Sequence, residues 1–419
     1  MVVSQGIRAR LARAGVVLVV GHPAVVAAQS ANLQVYGTLL PYFDVVSIRG
    51  ATASAPAAGA TQVPKSAYTG AQLSSMARVT PGTSNLGIRG SEEIGGGTRA
   101  LFQIESAVFV DGDPFPVALA ARNTGVGLAG PWGTFMAGTW DTPYKVVTLD
   151  LGPLRGLNPF DNMITGNPGF NLPVTVTQGG RVNGRPDASF NRRQGNSVQY
   201  WSPAWGGLSA RIAYSMPEGR TDATASTPGT RPDLWSLVAR YDGAAWSLRY
   251  SFERHNDYFG LAQLGGSPGA TLANPSSADS GHQLAAVYAA GGTRVTFIYD
   301  RLDYRTDDSA QAAVTRYRRD GGYLTVSQQF GPHKLWGAIG RADEGACAAN
   351  GTRCSTDGLG ATQWSVGYVL SLSKRTDLYA TVFSIANERS ATYASFPPAA
   401  TVAPGGTTRS AGMGILHVF

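Results

Sequence analysis

Along most of this chain apolar and polar residues alternate one by one. In the stretch 245–253, Trp246, Leu248, Tyr250 and Phe252 fall on one side, and Ser247, Arg249, Ser251 and Glu253 on the other. Leu208, Ala210, Ile212 and Tyr214 oppose Ser209, Arg211, Ala213 and Ser215. Val295, Phe297 and Tyr299 oppose Arg294, Thr296 and Asp300, and Trp364, Val366, Tyr368 and Leu370 oppose Ser365, Gly367 and Ser371. A period of two marks β-strands whose faces meet different surroundings. Strands of a soluble sandwich alternate too, but they usually run about 5–6 residues. Several runs here last 9–12 residues, about the length that crosses a bilayer at a 45° tilt.

The connections alternate as well. Short ones fall at 95–97, 131–133, 203–207, 243–244, 290–292, 331–332 and 374–375. Long ones fall near 49–80, 110–121, 141–194, 217–232, 256–280, 305–318, 344–361 and 389–408. Seven short turns and eight long loops imply sixteen strands, starting near Leu33 and ending at Phe419. The predicted fold is all-β: a closed antiparallel transmembrane β-barrel with short periplasmic turns and long extracellular loops. Closure is required because an open sheet edge in lipid leaves backbone groups unpaired, at several kcal/mol each.

Composition fits this layout. Only 15% of the residues are charged and the mean hydropathy is −0.08, yet 53 glycines are present. Disorder is excluded by the apolar and aromatic content. A helical membrane bundle is excluded because no run of about 20 apolar residues follows the N-terminus. One face of each strand touches lipid and carries little charge, so charged groups gather on the lumen face and in the loops. An open lumen replaces a packed core. Tyr36, Trp132, Trp201, Trp205, Trp235 and Trp246 near strand ends are expected to form aromatic girdles.

Residues 1–28 read as a signal peptide, with Arg8, Arg10 and Arg13 ahead of an apolar stretch and Val26 and Ala28 at a cleavage site. Its loss takes the net charge from +7 to +4 and leaves 29–419 as one barrel domain. Cys347 and Cys354 lie within GACAANGTRC, a segment of small and polar residues that reads as a loop and holds no histidine, so a disulfide is expected and a metal site is not.

Several segments resemble the general diffusion porins of Gram-negative bacteria, the proteobacterial trimeric porin family. They are NLGIRGSEEIGGGTRALFQIE (85–105), VGLAGPWGT (126–134), SVQYWSPAWGG (197–207), LSKRTDLY (372–379) and the terminal GILHVF (414–419). The terminal Phe419, with Ile415 and Met413 at alternate positions, resembles the signal read by the barrel-assembly machinery. The resemblance covers essentially the whole mature chain. It implies a sixteen-stranded barrel, a homotrimer, and a third loop folded into the pore, here 141–194. It also implies a ladder of basic wall residues facing acidic groups on that loop. Arg89 and Arg122 match basic positions of the family, whereas Asn85 and Thr139 stand where arginine is usual. Arg122 shares strand parity with Val126 and Leu128, which puts it toward lipid unless a bulge intervenes. Parity nominates Arg99, Arg211, Arg249 and Arg294 for the lumen, and Asp150 and Asp161 are the expected loop acids.

Other chemistry is not supported. GVGLAG (125–130) satisfies G-x-G-x-x-G, but Pro131, Trp132 and Gly133 follow where a dinucleotide site needs a helix. The five histidines form no metal motif, no G-x-S-x-G elbow occurs, and basic residues are dispersed. The sequence therefore predicts no enzyme, cofactor, metal or nucleic-acid partner. It predicts a Gram-negative outer-membrane channel for passive diffusion of small hydrophilic solutes and ions, with a modest anion preference. Its expected partners are outer-membrane lipid, lipopolysaccharide and two further copies of itself. Two alternatives stand beside it: a solute-specific channel for an organic anion or sugar, and an exported soluble β-protein such as an adhesin.

Overall fold

The computed structural model describes residues 32–51, 73–112, 119–154, 162–170, 188–224, 229–261, 276–307, 314–395 and 402–419. The expected signal peptide lies outside them. The strands are β1 (Asn32–Leu39), β2 (Tyr42–Arg49), β3 (Leu73–Thr80), β4 (Asn85–Gly95), β5 (Thr98–Ala107), β6 (Thr124–Gly130) and β7 (Gly133–Asp141). Helix α1 (Pro143–Leu151) follows, then β8 (Arg193–Trp201), β9 (Leu208–Ser215), β10 (Asp233–Asp242), β11 (Trp246–Asn256), β12 (Ala278–Ala290) and β13 (Thr293–Arg305). The rest are β14 (Val314–Phe330), β15 (His333–Ala342), β16 (Ala346–Ala349), β17 (Ala361–Ser371), β18 (Thr376–Asn387) and β19 (Thr407–Val418).

All nineteen strands belong to one antiparallel sheet. β1 and β2 are two halves of one stave, as are β3 and β4, and β15 and β16, so the sheet has sixteen staves as the alternation predicts. The first stave breaks at Leu40 and Pro41 because proline has no N–H to give the ladder. Its neighbour breaks at the same height, at Pro81. Ser84 stitches the gap: its hydroxyl accepts from the Leu40 N–H at 2.8 Å and donates to the Pro81 carbonyl. The barrel closes where β19 pairs with β1 and β2. Gly37 and Phe419 exchange two backbone hydrogen bonds of 3.1 Å, so the terminal residue completes the seam.

The two faces separate cleanly. Phe43, Ile88, Phe135, Phe297, Leu324 and Val366 point outward and are exposed. Ser236, Gln283, Thr296, Thr325, Gln363 and Ser410 point inward. Met413, Ile415 and Phe419 are on the outer face. Trp132, Trp205 and Trp246 are exposed at the short-turn end and Trp235 nearer the loop end, as girdle residues would be. Tyr36 and Trp201 are not girdle residues. Their neighbours Val35 and Tyr200 take the outward parity, and both rings turn into the lumen.

Strand growth trims the predicted loops. The first loop loses 73–80 to β3 and the sixth loses 314–318 to β14, which at 17 residues outreaches the bilayer. A disulfide joins Cys347, within β16, to Cys354. The interior also differs from the expected open lumen. Val147, Leu151, Leu154, Met163 and Ile164 of the third loop pack with inward residues of β10 to β18, including Val238, Ile298, Tyr323 and Trp336. One side of the lumen therefore holds an apolar core.

Leu324 sits in the outward apolar band, paired with Phe297 and Ile339. Leu324→Arg is expected to lower stability by about 2–4 kcal/mol in denaturant titrations of the vesicle-inserted protein. Thr325→Arg, pointing inward, is expected to cost measurably less, because water and polar groups are within its reach.

Candidate functional site

The third loop leaves β7 through a buried ionic knot. Asp141 pairs with Lys145 at 2.8 Å and with Arg193 at 3.2 Å. Asn123 donates to Asp141 at 2.9 Å and accepts from Arg193 at 2.8 Å. Burial pushes the Lys145 ammonium down to about 8, with Asp141 opposing the shift. Thr142 caps α1 and Pro143 stands at its first turn, where a missing N–H costs nothing. The Tyr144 N–H then bonds the Ser236 hydroxyl at 3.0 Å, which holds the helix against the lumen face of β10.

Helix α1 lies on β9, β10 and β11 and delivers Asp150 near its C-terminal end. A carboxylate there is opposed by the helix dipole, so it needs cations nearby. The wall supplies them: Arg249 lies 3.2 Å from Asp150 and Arg240 lies 3.7 Å away. Arg240 also pairs with Asp242. Arg211 is on the inward face of the adjacent β9, and Arg294 lines, with Asp150 and Lys334, a recess of about 420 Å³. Lys334 donates to the Pro153 carbonyl at 2.6 Å and so ties the loop to β15.

The returning part of the loop is bolted to the far wall. Asp300 and Arg319, both fully buried on β13 and β14, pair at 3.0 Å. Asp300 accepts from the Gly166 N–H at 2.6 Å, and Arg319 donates to the Ile164 carbonyl at 2.8 Å and to that of Asn167. Met163 N–H bonds Gln363 on β17 at 3.0 Å.

Among the residues nominated from sequence, Asp150, Arg211, Arg249 and Arg294 come together. Arg89 is inward but on another wall, where it bonds Gln34 at 3.0 Å and lies over Tyr36. Arg99 stays near the turn beside Glu93, 3.7 Å away, apart from the loop. Arg122 faces the lumen despite its parity. It precedes β6, which starts at Thr124, after Ala120 takes a positive φ of 65°, and it pairs with Glu105 at 2.6 Å. Asp161 lies outside the described residues. Asn85 bonds the Thr83 carbonyl, and Thr139 sits in a register shift of β7. Sequence reasoning missed Arg240, although the alternation of Trp235, Leu237, Ala239 and Tyr241 puts it inward. It also missed Lys145, Arg193 and Arg319, whose partners are set by the docked loop.

A closed barrel with an outward apolar band and a charged lumen entered by its third loop is a membrane diffusion channel. The chain belongs to the Gram-negative porin family, whose model matches residues 14–390. It is 26% identical over 344 residues to outer membrane porin protein 32 of Delftia acidovorans, covering 80% of this chain and 85% of that one. It is 27% identical over 269 residues to major outer membrane protein P.IA of Neisseria meningitidis, covering 59% of this chain and 63% of that one. Its fold is similar to an anion-selective porin from Comamonas acidovorans, with a TM-score of 0.66 at 18% identity, covering 93% of this chain and all of that one. It is also similar to the outer-membrane protein OmpT of Vibrio cholerae, with a TM-score of 0.58 at 12% identity over 93% of this chain and 98% of that one. The protein is thus an outer-membrane diffusion channel, and the exported soluble reading is set aside.

Replacing Arg319 leaves Asp300 buried without its cation, a loss worth about 3–5 kcal/mol. Arg319→Met is expected to lower the thermal unfolding temperature. It is also expected to give noisier, larger single-channel currents as 162–170 loses its anchor. The double variant with Asp300→Leu is expected to recover stability more than current steadiness.

Proposed function

We propose that the channel passes small hydrophilic anions in preference to cations, by diffusion and with no chemistry on the solute. The carrying observation is the balance at the third loop. Four arginines, Arg211, Arg240, Arg249 and Arg294, gather near two carboxylates, Asp150 and Asp242. Arginine stays charged at every working pH, and low-dielectric walls focus its field into the lumen. An anion entering this gap is stabilised and a cation is repelled. The porin of similar fold from Comamonas acidovorans is anion-selective, in agreement with this reading.

The chain works, on this proposal, as a homotrimer in contact with lipid and lipopolysaccharide, after export by residues 1–28. The outward Met413, Ile415 and Phe419 at the seam are where the barrel-assembly machinery would engage the last strand. The third loop, 141–194, acts on the same proposal as the constriction, a reading supported by its described residues 141–154, 162–170 and 188–194.

Reversal potentials in planar bilayers under a salt gradient test the preference. Chloride is expected to be favoured over potassium. Asp150→Asn is expected to raise the permeability ratio and Arg249→Gln to lower it, each by roughly twofold at low salt. Cation selectivity of the unaltered channel would refute the proposal.

A further inference from the structure

The wall beside the strands that carry α1, from β5 to β8, has a lumen face that water alone does not explain. Trp140, Trp201, Met136 and Leu101 all have inward parity on β7, β8 and β5. They line one recess of about 290 Å³ with Arg89, Gln34 and Gln103, and no carboxylate is among its lining residues. Trp140 and Trp201 come from opposite ends of neighbouring strands, yet their rings meet at 5.4 Å between centroids, tilted by 56°. The Trp201 indole N–H donates to Gln199 at 3.0 Å, which fixes that ring. Arg211 lies over the Trp201 ring, 5.0 Å from its centroid, and Arg89 lies over Tyr36 at 4.8 Å. The apolar residues of the docked third loop pack on other strands, so these rings are half-exposed to the open part of the lumen.

Large aromatic groups on a water-facing wall cost free energy unless something apolar visits them. The walls offer two tilted indoles, a thioether and a leucine as a bed for a flat ring. Arg89 supplies a fork for a carboxylate at the rim of the same recess, with the Gln34 and Gln103 amides beside it. The cation over Trp201 adds a second positive charge without a carboxylate on that ring. We propose that this recess is a binding station for aromatic carboxylates, the ring lying on Trp140 and Trp201 and the carboxylate meeting Arg89. This rests on the diffusion-channel reading and specifies one class of solute for it.

Single-channel recording with benzoate, acetate and benzyl alcohol as probes tests it. Benzoate is expected to interrupt the current for about five- to tenfold longer than acetate, with benzyl alcohol near acetate. The excess is expected to disappear in Trp140→Ala with Trp201→Ala and in Arg89→Gln, and to persist largely in Trp201→Phe. Equal block by benzoate and acetate in the unaltered protein would overturn the assignment, whether or not the variants fold. So would a benzoate excess that survives loss of both indoles. Absence of any ionic conductance would instead refute the channel reading itself, and the station with it.

Discussion

A peptide group in hydrocarbon must find its hydrogen-bond partner inside the protein, because no water is there to supply one and each failure costs several kcal/mol. This demand shapes the barrel from its ends inward. No strand can be left with an open edge, so β19 pairs back to the first stave, with Phe419 and Gly37 exchanging backbone hydrogen bonds. Nor can a proline be placed freely. Pro41 and Pro81 lie level on paired staves, and the Ser84 hydroxyl stands in for the lost ladder bond. Once the sheet is closed, every residue must face lipid or lumen, and the two-residue period follows. The scarcity of charge, 15% of the chain, is then a statement about position: lipid-facing alternate residues carry almost none of it.

The lumen is governed by a second demand, that buried charges be paired. The third loop enters through Asp141, Lys145 and Arg193 and is fastened again by Asp300 and Arg319. Neither knot need add net stability over apolar residues of the same shape. Their effect is on register, because each fits only one arrangement of donors and acceptors. Between the two knots, α1 has little freedom, and Asp150 is presented to Arg249 and Arg240. The arrangement of the lumen charges is thus set by ion pairs that the solute never touches.

The strands, turns, strand number and closure were legible in the sequence because they depend on local alternation and on Gly- and Pro-rich turns. The same alternation reached Arg211, Arg249 and Arg294, and Arg240 was within its reach. It failed where the strand ended: Arg122 precedes β6, so counting from Val126 gives the wrong face. Tyr36 and Trp201 lie near strand ends, where girdle residues are expected, yet their parity places both rings in the lumen. The Asp300–Arg319 pair was out of reach for another reason. Its meaning comes from Gly166, Ile164 and Asn167, more than 130 residues away along the chain, and no periodicity encodes that contact.

Counting arginines therefore misstates the field that a solute meets. Arg78, Arg122 and Arg193 each lie against a carboxylate, Asp44, Glu105 and Asp141 respectively. A paired arginine contributes a dipole, whose potential falls off faster than that of a charge. Arg89 and Arg211 are held differently, by the faces of Tyr36 and Trp201. An aromatic face fixes a guanidinium through its quadrupole and leaves the unit charge in place. Positive potential in this pore thus depends on which arginines rest on rings and which on acids. The inward tyrosine and tryptophan then serve the same end as the arginines themselves: they order a cation in the lumen without neutralising it.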